Sequence, residues 1–172
     1  VVPGSAGSRA HALVVDDDEA VRGTLASRLE ALGLLPTAAS SGKEAVVMLH
    51  GAPSEAPIEL LLVDWDMPGE NGLELCDRIR KDASLRPTPR TILVSGYWNR
   101  ELAACVDEGR ADAFLLKPLT PSTLHETVLR VFADRLVAGP PLLAGAATES
   151  TVPDLRGMRV LLTEDNELNQ EV

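Results

Sequence analysis

Three apolar runs in this chain each stop on a residue that can do chemistry. Leu13-Val14-Val15 runs into Asp16-Asp17, Leu60-Leu61-Leu62-Val63 into Asp64, and Phe114-Leu115-Leu116 into Lys117. A short apolar run closed by turn residues reads as a buried strand. Pro68 and Gly69 close the second run and Pro118 the third. Open α/β sheets place their reactive groups at the carboxyl ends of strands. An acid pair, a lone Asp and a Lys are therefore expected to converge on one sheet edge.

Between these runs, strand and helix signals alternate. Ala12 to Val15 is a first strand, followed by Val21, Leu25, Leu29 and Leu32 at helical spacing, with Gly33 closing that helix. Leu34 to Ala38 is a weaker second strand, and Gly42 to His50 a second helix with Ala45, Val46 and Leu49 on one face. A Pro-rich loop leads to the third strand, Ile58 to Val63. The third helix starts near Asn71 and carries Leu75, Cys76 and Ile79 inward. After a loop over 86–90 come strand Thr91 to Val94, helix Arg100 to Glu108, strand Ala113 to Leu116 and helix Pro121 to Val137. The last helix has Leu124, Val128, Val131 and Leu136 as its apolar stripe. Five strand–helix pairs in alternation imply an α/β fold: a doubly wound parallel sheet, right-handed crossovers, helices on both faces. Periodicity does not give the strand order; the flavodoxin-like 2-1-3-4-5 is one of two common solutions.

Composition narrows the function. The 172 residues are 45% hydrophobic but only 3% aromatic, so the core must be Leu, Val, Ala and Ile. A formal charge of −10 argues against non-specific nucleic-acid or membrane-surface binding, which needs clustered Lys and Arg. Cys76 and Cys105 are too few and unpatterned for a disulfide framework or zinc site, and as buried thiols they fit a reducing cytoplasm. No apolar run has transmembrane length and no signal peptide is evident. The chain lacks an initiator Met and stops at Val172, which reads as a piece of a longer protein whose membrane attachment is left open.

The expected organisation is a frayed leader over 1–9, one domain over 10–137, a linker over 138–156 rich in Gly, Pro, Ala, Ser and Thr, and a remainder over 157–172. That remainder, Arg159-Val160-Leu161-Leu162-Thr163-Glu164-Asp165-Asn166, repeats the opening Val14-Val15-Asp16-Asp17. A lone strand and a short helix do not fold by themselves.

Carboxylates held close together repel when ionised, so such a cluster calls for a cation. Oxygen-only ligands suit Mg²⁺, with Mn²⁺ as an alternative; Mg²⁺ keeps waters and takes one or two carboxylates plus phosphate oxygens. That chemistry serves phosphoryl transfer. Asp64 is the candidate nucleophile. Asp17 and Asp64 are candidate metal ligands, with Asp16 acting partly through water. Lys117 supplies a mobile charge, and Ser95 a hydroxyl, for phosphoryl oxygens. Each has a plainer reading: Asp16 to Glu19 as helix-capping acids, Asp64 as a turn residue, Lys117 as a solvated lysine, Ser95 as a loop serine. The constellation as a whole, four strands ending in order on acid pair, Asp, Ser and Lys, is what the plainer readings do not explain.

Over about residues 10–137 the chain resembles the receiver domains of two-component signalling. The resemblance is carried by Val14-Val15-Asp16-Asp17, Asp64-Trp65-Asp66-Met67-Pro68 with Gly72, Val94-Ser95-Gly96 and Lys117-Pro118. It implies that Asp64 accepts phosphate from the phosphohistidine of a histidine kinase or histidine phosphotransfer domain. It implies a metal site of Asp17, Asp64 and the main-chain carbonyl of Asp66, with Asp16 nearby, and a cis Lys117–Pro118 peptide. It implies a switch in which Ser95 moves toward the phosphoryl group and Phe114 turns inward, felt on the face of the fourth helix, fifth strand and fifth helix. That face is also where a second copy would pair. Phe stands at position 114 where the family often has Tyr, and Gly96 where Ala is common. The tail resembles the opening of a second receiver with Glu164 and Asp165 as its acid pair, which implies a hybrid sensor histidine kinase as the parent chain. No Gly-rich nucleotide loop or phosphoacceptor His helix is visible; His11, His50 and His125 are isolated.

Two alternatives stay open. Asp64-Trp65-Asp66 also resembles the opening of haloacid-dehalogenase-like phosphohydrolases, although there the motif lies on the first strand and continues into Thr or Val. A receiver-like interaction module insensitive to phosphate is the other.

Overall fold

The computed structural model describes residues 9–85 and 87–133. The expected leader, the linker, the second opening with Glu164 and Asp165, and Leu136 lie outside the described residues.

Among the described residues ten elements alternate: β1 (His11–Val15), α1 (Glu19–Ala31), β2 (Leu35–Ala39), α2 (Gly42–Gly51), β3 (Ile58–Asp64), α3 (Gly72–Lys81), β4 (Arg90–Ser95), α4 (Arg100–Asp107), β5 (Ala113–Leu116) and α5 (Pro121–Ala133). The strands form one parallel sheet in the order β2-β1-β3-β4-β5, the flavodoxin-like arrangement. β3 is central and buried along its whole length, as a parallel strand covered on both faces must be.

Alternate residues of the strands feed two cores. Leu13, Val15, Leu61, Val63, Leu93 and Phe114 pack with Leu49, Leu75, Ile79 and Leu102, so α2, α3 and α4 cover one face. Val14, Leu60, Leu62, Ile92, Val94 and Leu115 pack with Leu25, Leu29, Leu124, Val128 and Val131, so α1 and α5 cover the other. Each such Leu, Val or Ile contributes about 1.5–3 kcal/mol by leaving water. Cys76 and Cys105 belong to the first core. Burial pushes the Cys76 thiol well above the ordinary range and the Cys105 thiol up to about 11, so both are packing residues.

Two local signals explain boundaries that periodicity placed a residue or so away. Gly33, at φ 88°, takes the left-handed turn that ends α1, and the Leu34 N–H bonds back to the Leu29 carbonyl. Leu34 is thereby spent on the helix end, and β2 begins at Leu35. Asn71 caps α3 in a reciprocal capping box with Glu74.

Candidate functional site

The sheet register decides which side chains meet. Val15 lies opposite Val63, Asp64 opposite Val94, and Ser95 opposite Leu116. Asp16, Asp64, Ser95 and Lys117 therefore end four neighbouring strands in one row. The last ladder bonds run through or next to these residues: Asp16 N–H to Ala39 O, Trp65 N–H to Val94 O, and Lys117 N–H to Ser95 O at 3.3, 2.7 and 2.7 Å.

Lys117 Nζ donates to Asp64 Oδ1 at 2.6 Å and to Asp16 Oδ2 at 3.1 Å. The other Asp64 oxygen, Oδ2, accepts the Asp66 N–H at 2.9 Å. Both carboxylates are nearly sealed, with side chains 7% and 3% exposed, whereas Lys117 is 32% exposed. Burial raises the Asp64 carboxyl above its ordinary value; Lys117 opposes this and the nearby Asp16 charge adds to it. Burial pulls the Lys117 ammonium down, but its bonds to Asp64 and Asp16 outweigh that and leave it raised. The ammonium is therefore held charged at neutral pH.

The run of three aspartates divides its work. Asp16 is buried, and its Oδ1 accepts the Asp18 N–H at 2.9 Å. Asp18 is the N-cap of α1, accepting from the Ala20 and Val21 N–H groups. The helix-capping reading of these acids is thus right for Asp18, while Asp16 is turned to the site. Asp17, between them, is exposed.

Gly72 fixes the approach of α3 to the end of β3. Its N–H donates to Trp65 O at 3.0 Å, and a Cβ there would stand 2.3 Å from the Asp64 carbonyl oxygen. Only glycine fits that contact.

Ser95 is fully buried and turned toward the chain that follows it: its Oγ donates to Tyr97 O at 2.8 Å and accepts the Tyr97 N–H at 3.3 Å. Phe114, on the same sheet face, is 5% exposed and lies in the core with Leu102 and Val106. The ring is thus buried in this structure. An apolar ring has no hydroxyl to hold it at the surface, so burial wins. Lys117–Pro118 is cis, as expected.

Sequence reasoning missed three residues. The Tyr97 hydroxyl donates to Asp66 Oδ1 at 3.3 Å, linking the loops after β3 and β4. Arg22 donates from Nη1 to the Asp16 carbonyl at 2.7 Å. Arg28 hydrogen-bonds the Leu119 carbonyl, beside a shallow groove formed by Val21, Thr24, Leu25, Lys117 and Pro118. An Arg on the exposed half of a helix carries no sequence signal that distinguishes these roles.

Among the described residues, no three His, Cys, Asp or Glu side chains converge into a ready metal cage. Mg²⁺ does not need one: it takes one or two carboxylates and fills the rest with carbonyls and water. Buried Asp64 and Asp16, with Asp17 exposed beside them, are hard oxygen donors of that kind. Among the described residues, no helix is long and apolar enough to cross a membrane.

The response regulator receiver domain family matches residues 12–129. A two-component response regulator of rice, Oryza sativa subsp. indica, is 31% identical over 125 residues, which is 73% of this chain and 82% of the relative. The chemotaxis protein CheY of Pseudomonas aeruginosa is 30% identical over 121 residues, 70% of this chain and 94% of the relative. A CheY-like receiver domain of Methanospirillum hungatei superposes with a TM-score of 0.65 at 28% identity, covering 77% of this chain and all 100% of that one. The Thermotoga maritima response regulator TrrA, solved in complex with Mg²⁺-BeF, superposes with a TM-score of 0.59 at 27% identity, covering 71% of this chain and 98% of that one.

Proposed function

The chain belongs to the response regulator receiver family of two-component signalling, and from that premise we propose that Asp64 is its phosphoacceptor, taking a phosphoryl group from a phosphohistidine. The observation that carries this reading is the ammonium of Lys117 bridging Asp64 and Asp16 at the carboxyl edge of the sheet.

An Asp64 carboxylate oxygen forms the new bond to phosphorus while the bond from phosphorus to the histidine nitrogen breaks. The freed imidazole keeps the electron pair and takes a proton from solvent. Lys117, held charged by its two acids, offers a charge-assisted hydrogen bond to a phosphoryl oxygen. Ser95 reaches a second oxygen once its hydroxyl leaves the Tyr97 carbonyl. Asp17, Asp64 and the Asp66 carbonyl, with Asp16 nearby, would hold Mg²⁺, which supplies neutralisation of the phosphoryl charge. Manganese suits the same oxygens.

The donor is a histidine kinase or a histidine phosphotransfer domain. A second copy pairs on the face of α4, β5 and α5 when the switch is set. The stretch over 157–172, with Glu164 and Asp165, resembles the opening of a second receiver, which supports a hybrid sensor histidine kinase as the protein this domain serves.

Acetyl phosphate with Mg²⁺ should add one base-labile phosphoryl group, read by intact mass. Asp64→Asn should abolish it, and equal labelling of that variant would remove Asp64 from the role. Labelling of neither protein would favour a phosphate-insensitive module.

A further inference from the structure

We propose that Arg22 is a positioning residue for the metal site: it sets the plane of the peptide from which Asp17 emerges. The inference rests on the metal-dependent reading above and goes beyond the residues that read on the site directly.

Arg22 lies in the second turn of α1, yet its side chain reaches back past the helix start. Nη1 donates to the Asp16 carbonyl oxygen at 2.7 Å, in a partly buried position. A peptide unit is planar, so fixing that carbonyl also fixes the Asp17 N–H and the direction in which the Asp17 Cα continues. Asp16 is otherwise secured through its N–H on Ala39 and its side chain on Asp18 and Lys117. Asp18 is secured as the helix cap. Asp17 sits between two anchored neighbours and is itself exposed. The Asp16 carbonyl is the anchor nearest to it, and Arg22 is what holds that anchor. Glu44, whose carboxyl is kept low chiefly by Ser40, also feels the Arg22 charge, and both line the same surface pocket.

Two effects of removing Arg22 have opposite signs, which makes the proposal decidable. As a point charge near a cation site, Arg22 repels Mg²⁺, so its loss alone would tighten metal binding. As a positioning group, its loss frees the Asp16–Asp17 peptide and weakens binding. Outer groups that orient metal ligands are typically worth 10–100-fold in affinity. Acting through one exposed carboxylate, Arg22 belongs at the low end, about 10-fold.

The experiment is calorimetric titration of the full chain with MgCl₂, for wild type, Arg22→Gln and Arg22→Lys, alongside acetyl phosphate labelling rates over a range of Mg²⁺. The Gln variant is expected to bind Mg²⁺ about 10-fold more weakly, and its labelling rate to reach the wild-type plateau at saturating Mg²⁺. The Lys variant, which keeps the charge on a single donor nitrogen but loses the planar fork, is expected between the two. A Gln variant with unchanged or tighter Mg²⁺ affinity overturns the proposal, as does a plateau that stays low or a Lys variant no better than the Gln variant. If the Gln variant does not fold, the Lys variant decides by the same criterion against wild type. Wild-type protein that takes up no Mg²⁺ would overturn the metal-dependent reading itself, and this inference with it.

Discussion

Lys117 and Asp64, 53 positions apart in the chain, are joined by a 2.6 Å hydrogen bond at the carboxyl edge of the sheet. The same ammonium serves Asp16. One partly exposed cation thus compensates two sealed carboxylates. Removing it by Lys117→Ala should lower metal-free stability by no more than the 3–5 kcal/mol that a stranded buried charge costs, roughly, since water reaches Lys117. Mg²⁺ should recover more melting temperature in this variant than in wild type, because a second cation then fills the same need. Denaturation in EDTA and in MgCl₂ checks this; equal Mg²⁺ gains in both proteins would contradict it.

Asp64 makes metal-free stability depend on pH in a defined direction. Its folded-state pKa is raised, with burial as the leading cause. The folded protein therefore prefers the protonated acid, and ionised Asp64 costs stability at neutral pH. This cost is relieved as pH falls through the raised value toward the ordinary carboxylate range. Asp64→Asn cannot titrate and keeps an oxygen for Lys117. In EDTA it should melt a few degrees above wild type at pH 7–8, roughly, and the gap should close toward about pH 4. A gap that widens on acidification would reverse the assignment.

Ser95 and the exposed aromatics after it should report the switch together. Its hydroxyl is engaged with the Tyr97 backbone, and Tyr97 and Trp98 are 53% and 60% exposed. If Ser95 turns to a phosphoryl oxygen, both bonds to Tyr97 are lost and the loop carrying Trp98 is released. Beryllofluoride should then change Trp98 emission, with Trp98→Phe separating it from buried Trp65. Ser95→Ala should bind beryllofluoride yet lose most of the change. A full response in the Ala variant would place the switch elsewhere.

Gly72→Ala tests how tightly α3 must approach β3. The new Cβ would meet the Asp64 carbonyl at 2.3 Å, and backbone cannot yield as a side chain does. Overpacking of this kind costs about 1–3 kcal/mol. Since the displaced peptide carries Asp64, labelling by acetyl phosphate should fall along with stability in denaturant. A stable variant with normal labelling would show that the helix can retreat freely.

Much of this protein is written locally. Apolar runs of strand length, helical stripes such as Leu25 and Leu29 or Leu124 and Val128, the glycine after α1 and the cap before α3 are all set by residues within a turn or two of each other. They determine ten elements in alternation, and right-handed crossovers then leave few sheets to choose from. Because reactive residues gather at strand ends in such a sheet, the placing of Asp16, Asp64, Ser95 and Lys117 along one sheet edge was also legible. What local signals could not decide was the division of labour inside Asp16-Asp17-Asp18, three identical residues. Only the register between β1 and β3, and the arrival of Lys117 from a position 101 residues away, make the first a buried partner and leave the second exposed; the third caps α1. The same holds for Phe114, whose place in the core depends on α4 packing over it. Tyr97 is a polar residue on a surface that any sequence could have left to solvent, and its bond to Asp66 exists because the fold brings the loops after β3 and β4 to the same sheet edge; Arg22 is only six residues from Asp16, and its bond to that carbonyl depends on how α1 turns back over the end of β1.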